Sequence, residues 1–307
     1  MVTPTSAVKV SLDELIHLNQ AAHKLALHNK AIRANQSGNY LSHFKGRGME
    51  FDEARLYMPG DDVRMLDWRL TARTGKPHTK LYREERERPV LIAVDYRASM
   101  FFATRGVFKS VLAARIASLI SWSAHHHSDR IGGQVFTDYT CQELKPQTGR
   151  QAVLHLLKQL TDYVPEQRDR NTMLPKPPLQ HALSRLCRHA RPGSQVFIIS
   201  DFRGLDQTAE HYLMRLSRHC EVGLIFIYDP LEKQLPQQGR YRLSDGGTEV
   251  VIDTADQQQV HRYQQKFAKH QQRLRTLTVQ YGISWIACCT MDNAVQILSN
   301  RVQGQAA

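Results

Sequence analysis

Two carboxylates and two hydroxyls in this chain are spaced so that they could hold a hard cation: Asp95 and Ser99 in VDYRASM, Thr172 in RDRNTML, and Asp201 in ISDF. Each acid closes a short apolar run, VLIAVD or QVFIIS, of the kind that forms a buried parallel strand. In open parallel sheets ligands bind beyond the carboxyl ends of the strands, where loops converge and helix amino termini point. Magnesium prefers an octahedral shell of oxygens and keeps waters that a partner's carboxylate can replace, so this oxygen set suits Mg2+. Arg97, two residues past Asp95, is a second way to fill the same place. At about 4 Å a pair of unit charges is worth about 4 kcal/mol at an effective dielectric of roughly 20, enough for a guanidinium to compete with a metal for Asp95 and Asp201. Both occupants stay open on sequence alone, as does a purely structural role in which the acids accept loop amides.

A second acidic group, Asp61, Asp62 and Asp67, lies in MPGDDVRMLDWRLTART. With Asp95 it could serve a metal-dependent hydrolase. The competing expectation is architectural. Pro59-Gly60 suits the centre of a type II turn; Asp61, Asp62, Arg64, Asp67, Arg69 and Arg73 form a salt-bridged surface; and Trp68 is a core residue. His125, His126 and His127 are consecutive at a helix end, so they cannot all face one metal. The sequence has no G-x-S-x-G elbow, no H-E-x-x-H and no G-x-x-x-x-G-K-[ST] phosphate loop, so neither a bound nucleotide nor catalysis is expected.

The chain of 307 residues is long enough to bury a self-sufficient core. Its 41 Lys and Arg against 29 Asp and Glu give a net charge of +12, which favours polyanionic partners. The cations are interleaved with acids, as in REERER at 83–88, and no aromatic-basic signature accompanies them, so any nucleic-acid binding is expected to be nonspecific. Five cysteines without a C-x-x-C pair read as reduced thiols. Apolar runs such as Val222 to Tyr228 fall short of the roughly 20 residues of a membrane helix, and the amino terminus lacks a signal-like apolar core. A cytoplasmic protein with no membrane partner is expected.

The elements that must position these residues follow from periodicity. Ser11 is a helix cap with Glu14 three residues on, and Leu12, Leu15, Ile16, Leu18, Leu25, Leu27 and Ile32 share one broad face. Residues 38–88 read as short strands and loops punctuated by glycines. From Pro89 strands at 90–95, 131–137, 195–200, 222–228 and 283–289 alternate with helices at 106–127, 150–163, 178–190, 256–281 and 291–301. Residues 240–253 form a hairpin around Asp245-Gly246-Gly247. The expected organisation is an amino-terminal helical segment (1–37), a charged β/loop region (38–88) and an α/β domain (89–307) with a mostly parallel sheet and helices on both faces.

The run FDEARLYMPGDDVRMLDWRLTART resembles the hallmark of the bacterial family called domain of unknown function fifty-eight, in its order of turn, acidic pair, Asp-Trp and arginines. Gly60, Asp61, Asp62, Arg64, Asp67, Trp68 and Arg73 carry that match. The D-x-S-x-S, distant Thr, distant Asp arrangement resembles the metal-ion-dependent adhesion site of von Willebrand factor A domains. Asp95, Ser99, Thr172 and Asp201 fill its positions, and Arg97 stands where its first serine belongs. The resemblance implies a von Willebrand factor A-like, Rossmann-like fold. It also implies a non-enzymatic adaptor that binds a MoxR-type AAA+ ATPase and a client protein in chaperone-like remodelling.

Overall fold

The computed structural model describes residues 6–25, 49–84, 88–163, 179–236, 239–244 and 249–304. The chain divides into two compact units, residues 30–87 and residues 1–29 with 88–307.

Two short helices come first, α1 (Leu12–His17) and α2 (Asn19–Ala22). Ser11 Oγ accepts the Glu14 amide at 3.2 Å, so the cap expected from sequence starts α1. Leu27 and Ile32, assigned to the same face, lie outside the described residues.

In the small unit β1 (Met49–Leu56) pairs antiparallel with β2 (His78–Glu84). Between them run a 3-10 turn at Val63–Met65 and a helix, α3 (Trp68–Thr74), where sequence periodicity predicts only strands and loops. The helix exists because its ends are fixed: Asp67 caps the start, and Gly75, at φ 70°, closes it in the left-handed region.

The large unit continues with β3 (Pro89–Asp95), α4 (Lys109–His126), β4 (Arg130–Phe136), β5 (Cys141–Gln147), α5 (Arg150–Asp162), α6 (Leu179–His189), β6 (Gln195–Ser200) and α7 (Gln207–Ser217). It ends with β7 (Glu221–Tyr228), α8 (Pro230–Lys233), β8 (Arg240–Ser244), β9 (Glu249–Asp253), α9 (Gln257–Tyr281), β10 (Ser284–Cys289) and α10 (Ala294–Gly304). Six strands form one sheet in the order β10-β7-β6-β3-β4-β5, parallel throughout except for the edge strand β5. β8 and β9 pair antiparallel as the hairpin predicts, with the turn residues 245–248 outside the described set.

The pleat sends alternate residues of each central strand into two cores. Val90, Ile92 and Val94 pack with Phe197, Ile199, Ile225 and Ile227 under α4, whose residues from Lys109 to Ala124 are buried apart from Arg115. Leu91, Ala93, Val196, Ile198, Leu224 and Phe226 face the other core, under α6, α7 and α9. Such strands must be apolar on both sides, which is why they read as continuous hydrophobic runs.

The amino-terminal helices belong to the first of these cores. Leu15, Ala22 and Leu25 are buried in it, and the Leu15 carbonyl accepts from Ser118 Oγ at 2.8 Å and Trp122 Nε1 at 3.1 Å. The described part of the amino-terminal helical segment, residues 6–25, thus packs within the sheet unit. Among the described residues no helix is long and apolar enough to cross a membrane.

Candidate functional site

Because β3 and β6 are parallel neighbours, their carboxyl ends place Asp95 and Asp201 side by side, and both are buried. Arg97 comes from the loop after β3 and folds back on the acid two residues before it. Its amide donates to Asp95 Oδ1 at 2.9 Å, Nε to both carboxylate oxygens at 3.0 and 3.1 Å, and Nη2 to Oδ2 at 2.6 Å. The same Nη2 lies 3.6 Å from Asp201 Oδ1, and Nη1 donates to the Arg203 carbonyl at 2.8 Å. Ser200 Oγ completes the shell of Asp95, donating to Oδ2 at 2.6 Å. The guanidinium is thus the bridge between the two acids.

A second cation completes the arrangement. Lys109, the first residue of α4, has 0% of its surface exposed; its Nζ lies 3.0 Å from Asp201 Oδ2 and 2.8 Å from Glu232 Oε1. Arg203 Nη2 in turn reaches Glu232 at 2.7 Å. Charges alternate along Asp95, Arg97, Asp201, Lys109, Glu232 and Arg203, so no buried charge stands alone. Burial by itself would raise the Asp201 carboxyl, but Lys109, then Arg97 and Arg203, hold it well below the usual carboxylate range. For Arg97 burial works against the cation, and Asp95 outweighs it.

The other residues of the expected ligand set do not join. Ser99 sits half-buried in a 3-10 turn at Ala98–Met100 and bonds neither acid, while the neighbouring Ala98 amide donates to Asp138 Oδ2 at 2.6 Å. Thr172 lies outside the described residues. A divalent ion between Asp95 and Asp201 would have to displace one guanidinium and stand beside an ammonium. The described residues therefore do not fit Mg2+, and they include no group of three or more His, Cys, Asp or Glu able to hold a metal.

Beside the network a cavity of about 380 Å3 opens between the sheet end and α9. Arg203, Lys266 and His270 bring nitrogen donors to it, and Phe226, Tyr263 and Phe267 bring aromatic surface. Tyr263 donates to the Leu231 carbonyl at 3.1 Å, and a His270 ring nitrogen lies 3.0 Å from the Asp201 carbonyl oxygen. The place is the one that parallel-sheet topology favours for ligands.

The hallmark acids of the small unit are occupied locally. The Asp61 amide closes a turn onto the Met58 carbonyl at 3.0 Å, with Gly60 at φ 108° as such a turn requires. The Asp61 carboxylate accepts the Met58 amide at 2.9 Å and Arg55 at 2.6 Å, and these two donors, in that order, lower its pKa. Asp62 accepts the Arg64 amide at 2.9 Å, and Asp67 accepts the Arg69 and Leu70 amides, each at 3.1 Å. These bonds turn each carboxylate toward its own chain, and a hydrolase built on Asp61, Asp62 and Asp67 gains no support from them.

Two expectations for this stretch are corrected. Trp68, the first residue of α3, is 68% exposed rather than core. Arg64, Arg69 and Arg73 are exposed and have no carboxylate within ion-pair distance among the described residues. The salt-bridged surface reduces to Arg55–Asp61 at 2.6 Å and Lys80–Asp67 at 3.9 Å.

Sequence reasoning found Asp95, Arg97 and Asp201 but missed Lys109, Glu232 and Arg203. A signal for Lys109 exists. It is a cation at the first position of a helix, where the dipole disfavours it, and it is followed by the nearly uncharged run SVLAARIASLISWSA.

The fold and site define an α/β protein with a six-stranded, mostly parallel sheet whose carboxyl edge is internally charge-neutralised. The family described as Protein of unknown function DUF58 matches residues 53–273, and the chain belongs to it. The uncharacterized protein Rv1480 of Mycobacterium tuberculosis is 32% identical over 220 residues, 70% of this chain and 66%, just under two thirds, of that relative. Two solved structures are also similar. BatB of Bacteroides thetaiotaomicron is 14% identical at TM-score 0.42, covering 71% of this chain and 98% of that one. An aerotolerance-related membrane protein of Bacteroides fragilis is 18% identical at TM-score 0.45, covering 70% and 97%.

Proposed function

We propose that the chain is a non-enzymatic, cytoplasmic adaptor that binds a MoxR-type AAA+ ATPase and a client protein. Its large unit then works as a von Willebrand factor A-like domain whose adhesion site uses side-chain cations in place of a metal. The observation that carries this reading is the pair of bridges Arg97 to Asp95 and Asp201, at 2.6 and 3.6 Å, and Lys109 to Asp201, at 3.0 Å. They supply at the carboxyl ends of the central strands the positive charge that a metal would otherwise bring, beside an open cavity. Pre-paired buried charges of this kind suit recognition, where geometry must persist, better than proton transfer, where a group must change state.

The test is a binding assay between the purified chain and the MoxR-type ATPase of its own host. Binding is expected to be equal in EDTA and in magnesium, to weaken at least tenfold in Asp201→Ala, and to occur in a chain that hydrolyses no ATP alone. Metal-dependent binding, or robust ATP turnover by the isolated chain, sinks the proposal.

A further inference from the structure

The hallmark stretch of the small unit has no part in the charge network at the sheet edge, and its own geometry points to a second surface. The Asp61, Asp62 and Asp67 carboxylates accept backbone amides of their own stretch, and among the described residues Arg64, Arg69 and Arg73 are exposed with no carboxylate at ion-pair distance. Beside them in sequence stand large apolar side chains in water, Met58 and Val63 each 61% exposed and Trp68 68%. An exposed Trp among exposed arginines supplies the residue types that are enriched at protein interfaces. We infer that the small unit docks an acidic segment of a partner protein, with Trp68 as the apolar anchor and Arg64, Arg69 and Arg73 pairing its carboxylates.

Three features favour protein over lipid or nucleic acid. All three motif cations are arginines, whose planar forks take a carboxylate or a phosphate through two parallel bonds, whereas an anionic bilayer accepts lysine as readily, so this feature argues against lipid alone. Trp and Arg are the residue types that dominate binding energy at protein interfaces. Arg69 and Arg73 lie four apart on α3, on one face of the helix. They present two forks about one turn apart, the spacing at which Glu residues four apart stand on a partner helix. The net charge of +12 draws such a segment in. The inference concerns the small unit alone and does not rest on the function proposed for the large one.

The experiment measures fluorescence anisotropy of a labelled helical peptide carrying Glu at every fourth position beside a leucine stripe, against a scrambled peptide of the same composition. The whole chain is expected to bind the ordered peptide at least tenfold more tightly than the scrambled one. Trp68→Ala should weaken binding about tenfold. The charge-preserving pair Arg69→Lys with Arg73→Lys should weaken it at least fivefold. Exposed arginines of the large unit, Arg105→Ala with Arg262→Ala, should leave it unchanged. Circular dichroism melts check that each variant is folded. Equal affinity for the two peptides, or variants that bind like wild type, overturns the inference. So does tighter binding to phosphatidylglycerol vesicles or duplex DNA that Trp68→Ala abolishes, since this would assign the surface to phosphate-bearing partners.

Discussion

At Lys109 a lysine's ordinary preference for water is overridden by two carboxylates, Asp201 at 3.0 Å and Glu232 at 2.8 Å. Breaking a buried pair by removing one partner costs about 3–5 kcal/mol, because the other charge is left uncompensated. Lys109→Ala should lose about that much in urea denaturation. Lys109 also changes what Arg97 can be expected to do. Arg97 stands where the resemblance puts a ligand serine, but in the structure Lys109 still neutralises Asp201, so Arg97→Ser alone should bind no Mg2+. Only Arg97→Ser combined with Lys109→Met should produce magnesium binding by calorimetry, and tight binding by wild type or by the single variant would show that the guanidinium is not the occupant. Sequence revealed Asp95, Asp201 and Arg97 because an acid at the end of an apolar run is a local signal. The Lys109–Glu232 pair joins residues 123 apart and leaves no local trace of its partner.

At the scale of elements, what was legible depended on length and period. The central strands read directly, since burial on both faces demands unbroken apolar runs. β5 escaped because CQELKPQ is half-exposed and carries Pro146, tolerated there because the strand is the sheet's edge. The sequence reading misses α7 although its signal is there: a period in Ala209, Leu213 and Leu216 and a cap in Asp206, which accepts the Ala209 amide at 2.7 Å. α3 is too short for a period, so its caps hold most of its identity. Asp67→Ala should remove the N-cap and destabilise α3, read as accelerated amide exchange in α3 with the large unit unaffected. The Leu70 amide is the main cause of Asp67's lowered pKa. Its contribution is therefore complete above the unperturbed 3.8 and is lost as pH falls through the lower folded value. Gly133 is tighter still: at φ 150°, an added Cβ would lie 2.0 Å from the Ile92 carbonyl oxygen on β3. Gly133→Ala should therefore cost more than about 4 kcal/mol. A chemical-denaturation midpoint close to wild type would mean that the two strands can part there without penalty.

For the molecule as a whole, the alternation of strand and helix made the sheet class readable, while the strand order β10-β7-β6-β3-β4-β5 had to come from the structure, because periodicity carries no pairing information. Net charge is a property of the whole chain, and +12 acts at long range. The network at the sheet edge is buried and self-neutralised, so salt should scarcely touch it. The exposed arginines of the small unit lie in water, where the screening length is about 10 Å at 0.1 M salt. These two facts separate the rate constants of association with an acidic protein partner. Raising salt should slow association by tenfold or more, the range expected for electrostatic steering, while dissociation stays nearly constant. Asp201→Ala, which alters the large unit only, should leave the salt dependence of this association intact. Stopped-flow measurement of both rates over a salt series decides this, since a salt effect carried mainly by dissociation would show that the exposed arginines hold the bound partner rather than steer it in.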